Sequence, residues 1–416
     1  MEQVEKATVT EAATPTHCDA AYVEKALQVA YKSESLRLET LQSEPITQCG
    51  ENFCSVIYRL KVAYRKCENS PIEHDNLILK DLLPIVAAVG SNEKLMFERI
   101  LPEMGQILEK AASTLSERKL SANCLFAERE ASKEIYLLED LGALGYALFD
   151  RQTGLSLEDA LICMQKMGQF HGASMMLMEE QPQLVAQLAP SHYADGISDP
   201  FATVIVVGGT DYAAGVVAKM PGMADIAAKM KAQLPDEYAR RIRSIVDPKN
   251  SAISVIVHGD LWVNNMMVNA EQKKSIIVDF QNCFIGSPAV DLHFFFYTSL
   301  QLEVLLHKQE QLLQKYYQSL CETLTACKYR GCLPSYAQLT DEMQRCLFYG
   351  YYGVACELPI CCAANEASVD FTVDTFISAE ALLEKRHQLF ASERVRQTLQ
   401  ATLGHFDQQG VLNIQE

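Results

Sequence analysis

The segment HGDLWVNN, from His258 to Asn265, puts a carboxylate directly after a glycine and an amide five residues further on. A short polar break and an apolar run over 275–278 then lead to Asp279, Phe280 and Gln281. Two carboxylates and an amide in that order supply what phosphoryl transfer from ATP requires. Asp260 can accept the proton of an attacking hydroxyl, and Asn265 and Asp279 offer hard oxygens to Mg²⁺. A lone HGD is most often a turn or capping aspartate. The ordered pair HGDxxxxN and DFQ, each entered from a short β-branched apolar run, is much more specific and carries the reading.

Other residues fit the same chemistry. A nucleotide site of this kind needs a strand lysine for the α- and β-phosphates and a helix carboxylate to hold that lysine. Leu77-Ile78-Leu79-Lys80 puts Lys80 at a strand end, and Glu93 lies early on the following helix. Alone, such a lysine is usually a solvated strand end; the downstream motifs make it a candidate. Glu98 competes with Glu93 but falls on another helix face. The turn at Gly50, with Asn52 and Ser55, would cover the phosphates, although it has one glycine where protein kinases have three. Residues 137–141, with Glu139 and Leu141, would form a hinge whose main chain pairs with adenine, an assignment made from position. Ser287-Pro288 opens a helix well. Asp291 on it is either a first-turn acid favoured by the helix dipole or a brace for the catalytic loop. His258 and His171, the latter on an apolar helix stripe, are read as structural supports. Trp262, the only tryptophan, stands two residues after Asp260, where protein kinases carry a phosphate-contacting lysine. It either anchors the loop or forms an apolar wall toward the acceptor. There is no G-x-x-x-x-G-K-[ST], no G-x-S-x-G and no His/Cys cluster at zinc spacing.

These groups need a scaffold. Strands are expected over 38–48 and 53–64, the second with Val56, Tyr58, Leu60, Val62 and Tyr64 at period two. A hairpin turn at 48–52 joins them. Further strands follow over 76–80, 124–128 and 134–138, with a helix over 91–100 whose end region is marked by Pro102. A modest amphipathic helix spans 20–31. After Gly145 the pattern turns helical: over 156–177, Leu157, Leu161, Met164, Gly168, His171 and Met175 share one stripe. Weaker helices over 178–250 break near 195–200 and 208–210. Short strands at 255–257 and 275–278 flank the motif, and from 287 onward the chain is helical. The expected fold is α+β and two-lobed: a leader without structure over 1–17, a nucleotide-binding lobe of five antiparallel strands and one inserted helix over 18–140, and a mainly helical catalytic and acceptor-binding lobe over 141–416. The acceptor side is expected to draw on 178–250 and on the apolar segment 348–364.

The 416 residues suffice for two or three domains' worth of core, and the net charge of −17 disfavours nucleic acid and anionic membrane surfaces as main partners. No run of about 18 apolar residues is present, and the first twenty residues lack an export signal, so a cytoplasmic protein with its 14 cysteines reduced is expected. Oligomeric state is not legible.

The motifs HGDLWVNN, VDFQ with GSPAVDL following, FHGAS and LLEDLGALGY resemble the choline-kinase-like and ecdysteroid-kinase-like family of small-molecule kinases, found especially in insects. The resemblance runs from about Leu38 to Leu412. It implies the protein-kinase-like fold shared with aminoglycoside phosphotransferases, with ATP and Mg²⁺ as cofactors. It also implies Asp260 as base, Asn265 and Asp279 as metal ligands, and Lys80 with Glu93 as the ion pair. The implied acceptor is an alcohol, an ecdysteroid or a hydroxylated xenobiotic, with choline- or ethanolamine-type amino alcohols as the alternative and a catalytically silent nucleotide binder as the rival. Gly168 and Gly172 stand where alanine is commoner, and Cys283 follows DFQ in place of a bulkier residue.

Overall fold

A computed structural model describes residues 8–10, 15, 17–46, 55–84, 87, 90–115, 117–197, 202–364 and 378–414. Its first sheet runs in the order β1-β2-β3-β4-β6-β5, from β1 (Thr8–Thr10), β2 (Arg37–Pro45), β3 (Ser55–Arg65), β4 (Glu73–Leu82), β5 (Cys124–Glu130) and β6 (Lys133–Glu139). The last five are antiparallel neighbours, and β1 adds a parallel edge beside Thr40–Gln42.

Alternation along these strands divides the sheet into two working faces. Leu60, Val62 and Tyr64 of β3, Leu77 and Leu79 of β4, and Ile135 and Leu137 of β6 are buried against Val23, Ala26 and Leu27 of helix α1 (Ala20–Tyr31). The intervening residues Ile57, Arg59, Ile78 and Lys80 face a cleft on the other side. The register pairs Lys80 with Ile57 and Ile78 with Arg59. The period-two pattern therefore selects both the core and the site.

The helix between β4 and β5 does not end near Pro102. It runs through Glu93–Leu95, a π turn over Met96–Ile100 and then α2 (Leu101–Lys110). The π turn moves the hydrogen-bond ladder by one residue just before Pro102, so a residue with no N–H is accommodated there. The break expected at 208–210 is likewise absent, because Gly208 opens a continuous helix to Val217. The expected unstructured leader differs at Thr8–Thr10, which forms β1. Residues 1–7, 11–14 and 16, the 48–52 turn, and part of the 195–200 break lie outside the described residues.

The second half is built on α3 (Leu157–Glu180), capped by the Ser156 side chain on the Asp159 N–H. It packs along α5 (Gln309–Ala326), and α4 (Pro288–Ser299) is buried throughout. Short strands hold the motif loops: β8 (Val255–Val257) pairs with β11 (Phe284–Gly286), while β9 (Met266–Asn269) lies between β10 (Lys274–Ile277) and β7 (Ala147–Leu148). Strands β7, β9 and β11 were not expected. Two to four residues are too few for a periodic signal. Among the described residues, no helix is long and apolar enough to cross a membrane.

Candidate active site

Strand β8 leads into His258, and Gly259 then turns the chain at φ +83°, with a would-be Cβ only 2.3 Å from the Asn282 carbonyl. A side chain could not occupy that position without moving backbone. Asp291 secures the turn: its Oδ2 accepts the His258 N–H at 2.7 Å and its Oδ1 accepts the Gly259 N–H at 2.9 Å. His171 Nε2 lies 3.1 Å from the same carboxylate and its Nδ1 lies 2.8 Å from the Tyr316 hydroxyl. Of the two readings open for Asp291, the geometry supports the loop brace. His258 works beside it, its Nε2 3.0 Å from the Val278 carbonyl and its Nδ1 accepting the Asp260 N–H at 3.3 Å. One donating and one accepting nitrogen describe a neutral ring. Burial, which lowers the His258 pKa against the pull of Asp291, agrees.

Asp260 and Asn265 are joined directly. The Asn265 amide nitrogen donates to the Asp260 carbonyl at 2.7 Å and to its carboxylate at 3.1 Å. Committing that nitrogen leaves the amide oxygen as the group Asn265 can offer elsewhere. The Val278 N–H donates to the Asn265 carbonyl at 3.0 Å, which sets the two motifs side by side. Asp279 follows at φ +67°, a conformation aspartate tolerates better than most residues.

Across the cleft, Lys80 Nζ lies 2.8 and 2.7 Å from the two carboxylate oxygens of Glu93 and 2.8 Å from Asp279 Oδ1. Burial opposes the Lys80 charge, but the carboxylates of Asp279 and Glu93 outweigh it and raise its pKa. Glu93 also accepts the Phe280 N–H at 3.2 Å, and Glu98 is instead near Lys94 at 3.8 Å. The Phe280 ring stands edge-on to Phe97 at 5.7 Å and meets Phe170 and His258 at 6.0 and 5.3 Å.

A cleft of about 650 Å³ is lined among others by Lys80, Glu93, Glu139, Leu141, Asn265 and Asp279, and Asp260 stands just outside this lining, bonded to Asn265. At one end Leu141, Ala122 and Ile276 form an apolar group with Leu138, Met267 and Val278 against it, a slot suited to a flat base. Glu139 lies at this end, but its side chain is engaged by Lys119 Nζ at 2.6 Å and the Asn123 N–H at 3.0 Å. Ser55 does not line the cleft; it is buried in β3 opposite Leu82. Gly50 and Asn52 lie outside the described residues. Trp262 packs against the main core and is not part of the cleft lining, which favours the loop anchor over the acceptor wall.

The donor set bears on Mg²⁺. Among the described residues no three His, Cys, Asp or Glu side chains form a metal cluster. The Asn265 and Asp279 oxygens fit a cation that completes its shell with water and phosphate. The charge balance also fits. Desolvation, then the carboxylates of Asp279 and Glu357, holds the Asp260 carboxyl well above the usual carboxylate range. A divalent cation would relieve that excess of negative charge.

Several groups escaped the sequence reading. Arg59 donates to buried Asp140 at 2.7 Å, and Asp140 also accepts the Gly142 N–H at 2.9 Å, tying β3 to the turn that follows β6. Arg59 shares the cleft face of β3, and period two could have found it. Glu357 closes a π turn over Gly353–Glu357, and the Tyr352 hydroxyl donates to it. Tyr352 also meets the Tyr193 hydroxyl at 3.0 Å and the Tyr349 ring at 4.9 Å. No local motif marks that cluster, because its members lie on separate elements.

The model of the ecdysteroid kinase-like family matches residues 49–329, more than half of the sequence. Among solved structures, an ethanolamine kinase from Plasmodium vivax is similar at 12% identity and a TM-score of 0.42, over 91% of this chain and 92% of that one. A GDP complex of an aminoglycoside 2'-phosphotransferase shares 8% identity at a TM-score of 0.41, over 93% and 99% of the two chains. A type I macrolide 2'-phosphotransferase shares 13% at 0.34, over 91% and 98%. No curated protein matches the sequence.

Proposed function

The chain belongs to the ecdysteroid kinase-like family, and from that premise we propose that it transfers the γ-phosphate of ATP to a hydroxyl of an ecdysteroid or a hydroxylated xenobiotic. It is a small-molecule kinase with an alcohol group as acceptor. The observation that carries the reading is the convergence of Lys80, Glu93, Asn265 and Asp279 on one cleft, with Asp260 bonded to Asn265.

In this reading Asp260 takes the proton of the acceptor hydroxyl as its oxygen bonds to the γ-phosphorus. The bond from that phosphorus to the β,γ-bridging oxygen breaks, and ADP leaves. The raised basicity of Asp260 suits a proton acceptor. Lys80, oriented by Glu93, directs its ammonium to the α- and β-phosphates. Asn265 and Asp279 would hold Mg²⁺, which when bound neutralises charge on the phosphates. Asp291, His171 and His258 keep the loop in place. We assign nucleotide binding to 18–140 and catalysis with acceptor binding to 141–416. The cytoplasm is the setting that fits ATP use and free thiols such as Cys163 and Cys283.

A second reading, a choline- or ethanolamine-type amino alcohol, is favoured by the Glu357 carboxylate near Asp260 and its tyrosine neighbours. The decisive experiment follows ATP consumption and phosphate-ester formation with ecdysteroids, phenolic glycosides, choline and ethanolamine. Transfer to the first two groups is expected. Transfer to amino alcohols alone would replace the acceptor, and tight ATP binding without transfer to any compound would favour a silent nucleotide binder.

A further inference from the structure

Asn92 directly precedes Glu93 and occupies the N-cap position of its helix, yet its side chain makes no capping bond there. Asparagine is among the strongest N-cap residues, so the missing cap is informative. The Glu93 N–H is instead served by Ser91 Oγ at 3.2 Å. That leaves the Asn92 amide for other partners, and all of them lie on distant segments of the chain. Its nitrogen donates to the Cys283 carbonyl at 2.6 Å and the Ala189 carbonyl at 3.2 Å, and its oxygen accepts the Ala189 N–H at 3.0 Å. Its own backbone N–H donates to the Gln281 carbonyl at 3.2 Å.

We propose that Asn92 is a positioning residue for phosphoryl transfer: a latch that ties the start of the Glu93 helix to the loop carrying Asp279 and to the Ala189 segment of the other lobe. This deepens the phosphotransfer reading and rests on it. Gln281 and Cys283 follow Asp279 by two and four residues, so Asn92 grips the loop just beyond the metal-ligand candidate. Glu93 is bonded to Lys80 and to the Phe280 N–H. The latch therefore closes a ring through Asn92, Glu93 and the 279–283 loop, and Lys80 spans it. Sliding of the helix along the loop would change the Lys80–Asp279 separation, and with it the place offered to the phosphates. The Ala189 bonds extend the same control to the segment leading to Tyr193, which meets Tyr352 beside Glu357. Short side chains suit the arrangement. Cys283 is buried and lets its carbonyl approach the amide closely. An aspartate at position 92 could still accept from Ala189 but would turn a carboxylate toward two carbonyl oxygens.

The test compares wild type with Asn92→Ala and with the nearly isosteric Asn92→Asp. Three quantities are measured: kcat and KM for ATP with an acceptor that wild type uses, the thermal midpoint, and backbone hydrogen exchange over 279–283. For both variants kcat is expected to fall about 10- to 100-fold, as misplacement of reacting groups by about 1 Å does. KM for ATP should stay within about threefold, because Lys80 and the base slot are intact. Exchange over 279–283 should quicken while exchange in α3 does not. A purely structural role would instead lower the midpoint and quicken exchange throughout the second lobe, leaving kcat per folded molecule unchanged. That result, or kcat within twofold of wild type with unchanged exchange over 279–283, would overturn the latch. A wild-type protein with no transfer would defeat the phosphotransfer reading itself, and the exchange comparison would then decide the latch alone.

Discussion

Burial first, and then the carboxylates of Asp279 and Glu357, hold the Asp260 pKa well above its ordinary value. Desolvation and the neighbouring carboxylates both disfavour the charged form of Asp260, the base of the proposed reaction. A base works only when deprotonated, so activity should fall as pH drops through the raised Asp260 pKa. The acid limb of kcat/KM is therefore expected well above about 3.9, the ordinary aspartate value. Glu357→Gln removes one of the charges that raises Asp260 and should move that limb to lower pH; a limb that stays put would separate Glu357 from the base. Asp260→Asn should lower kcat by about 10²- to 10⁴-fold while ATP still binds, and a variant retaining more than a tenth of wild-type kcat would require another base. Asp260, Asn265 and Asp279 were legible because one loop and one strand end hold them in a fixed order. Glu357 was not, because proximity to Asp260 comes from folding alone.

Helix α3 shows how a small residue fixes the spacing of elements. A Cβ on Gly168 would lie 2.5 Å from the Tyr316 carbonyl oxygen and 2.8 Å from Ser319 Cβ on α5. The two helices therefore touch through backbone at this point, and Ser319 Oγ donates to the Gln165 carbonyl at 2.6 Å. The same contact seats Tyr316 beside His171, which bonds Asp291. Gly168→Ala should cost about 1–3 kcal/mol, the usual range for overpacking. It would appear as a lower urea midpoint with an unchanged m value, and unaltered stability would mean that the helices separate freely. This close approach requires glycine at position 168, a requirement that the stripe of α3 residues does not express. The long stripe was legible as a helix; the partner behind it was not. The same limit explains Pro102, where the π turn that accommodates it carries no composition signal.

At the scale of the molecule, Lys80, Glu93 and Asp279 connect the sheet, its helix and the second lobe through one buried ion cluster. Phe280 adds an aromatic contact from Phe97 to Phe170. A nucleotide bridging this junction should stabilise the whole chain. MgATP at 100 times its Kd should add about 2.7 kcal/mol, read as a rise in Tm. Lys80→Ala leaves Glu93 buried without its cation and should lower stability by about 3 kcal/mol, with most of the MgATP effect lost. Equal Tm shifts in wild type and variant would exclude Lys80 from the nucleotide site.

The order HGDxxxxN then DFQ, the strand lysine and the alternation of β3 and β4 were set by the sequence alone, since each depends on residues within a few positions of one another. Reaction class, lobe character and the cleft face of the sheet follow from such local patterns. Tertiary structure alone decided between the two readings of Asp291 in favour of the brace, and brought Arg59 onto Asp140, left Ser55 buried outside the cleft lining, and sent the Asn92 side chain to Cys283 and Ala189 instead of capping its own helix. Those partners lie between 32 and 191 residues apart. No local periodicity encodes a contact at that separation. It arises only when burial of the apolar stripes brings the elements together and their polar groups must find partners.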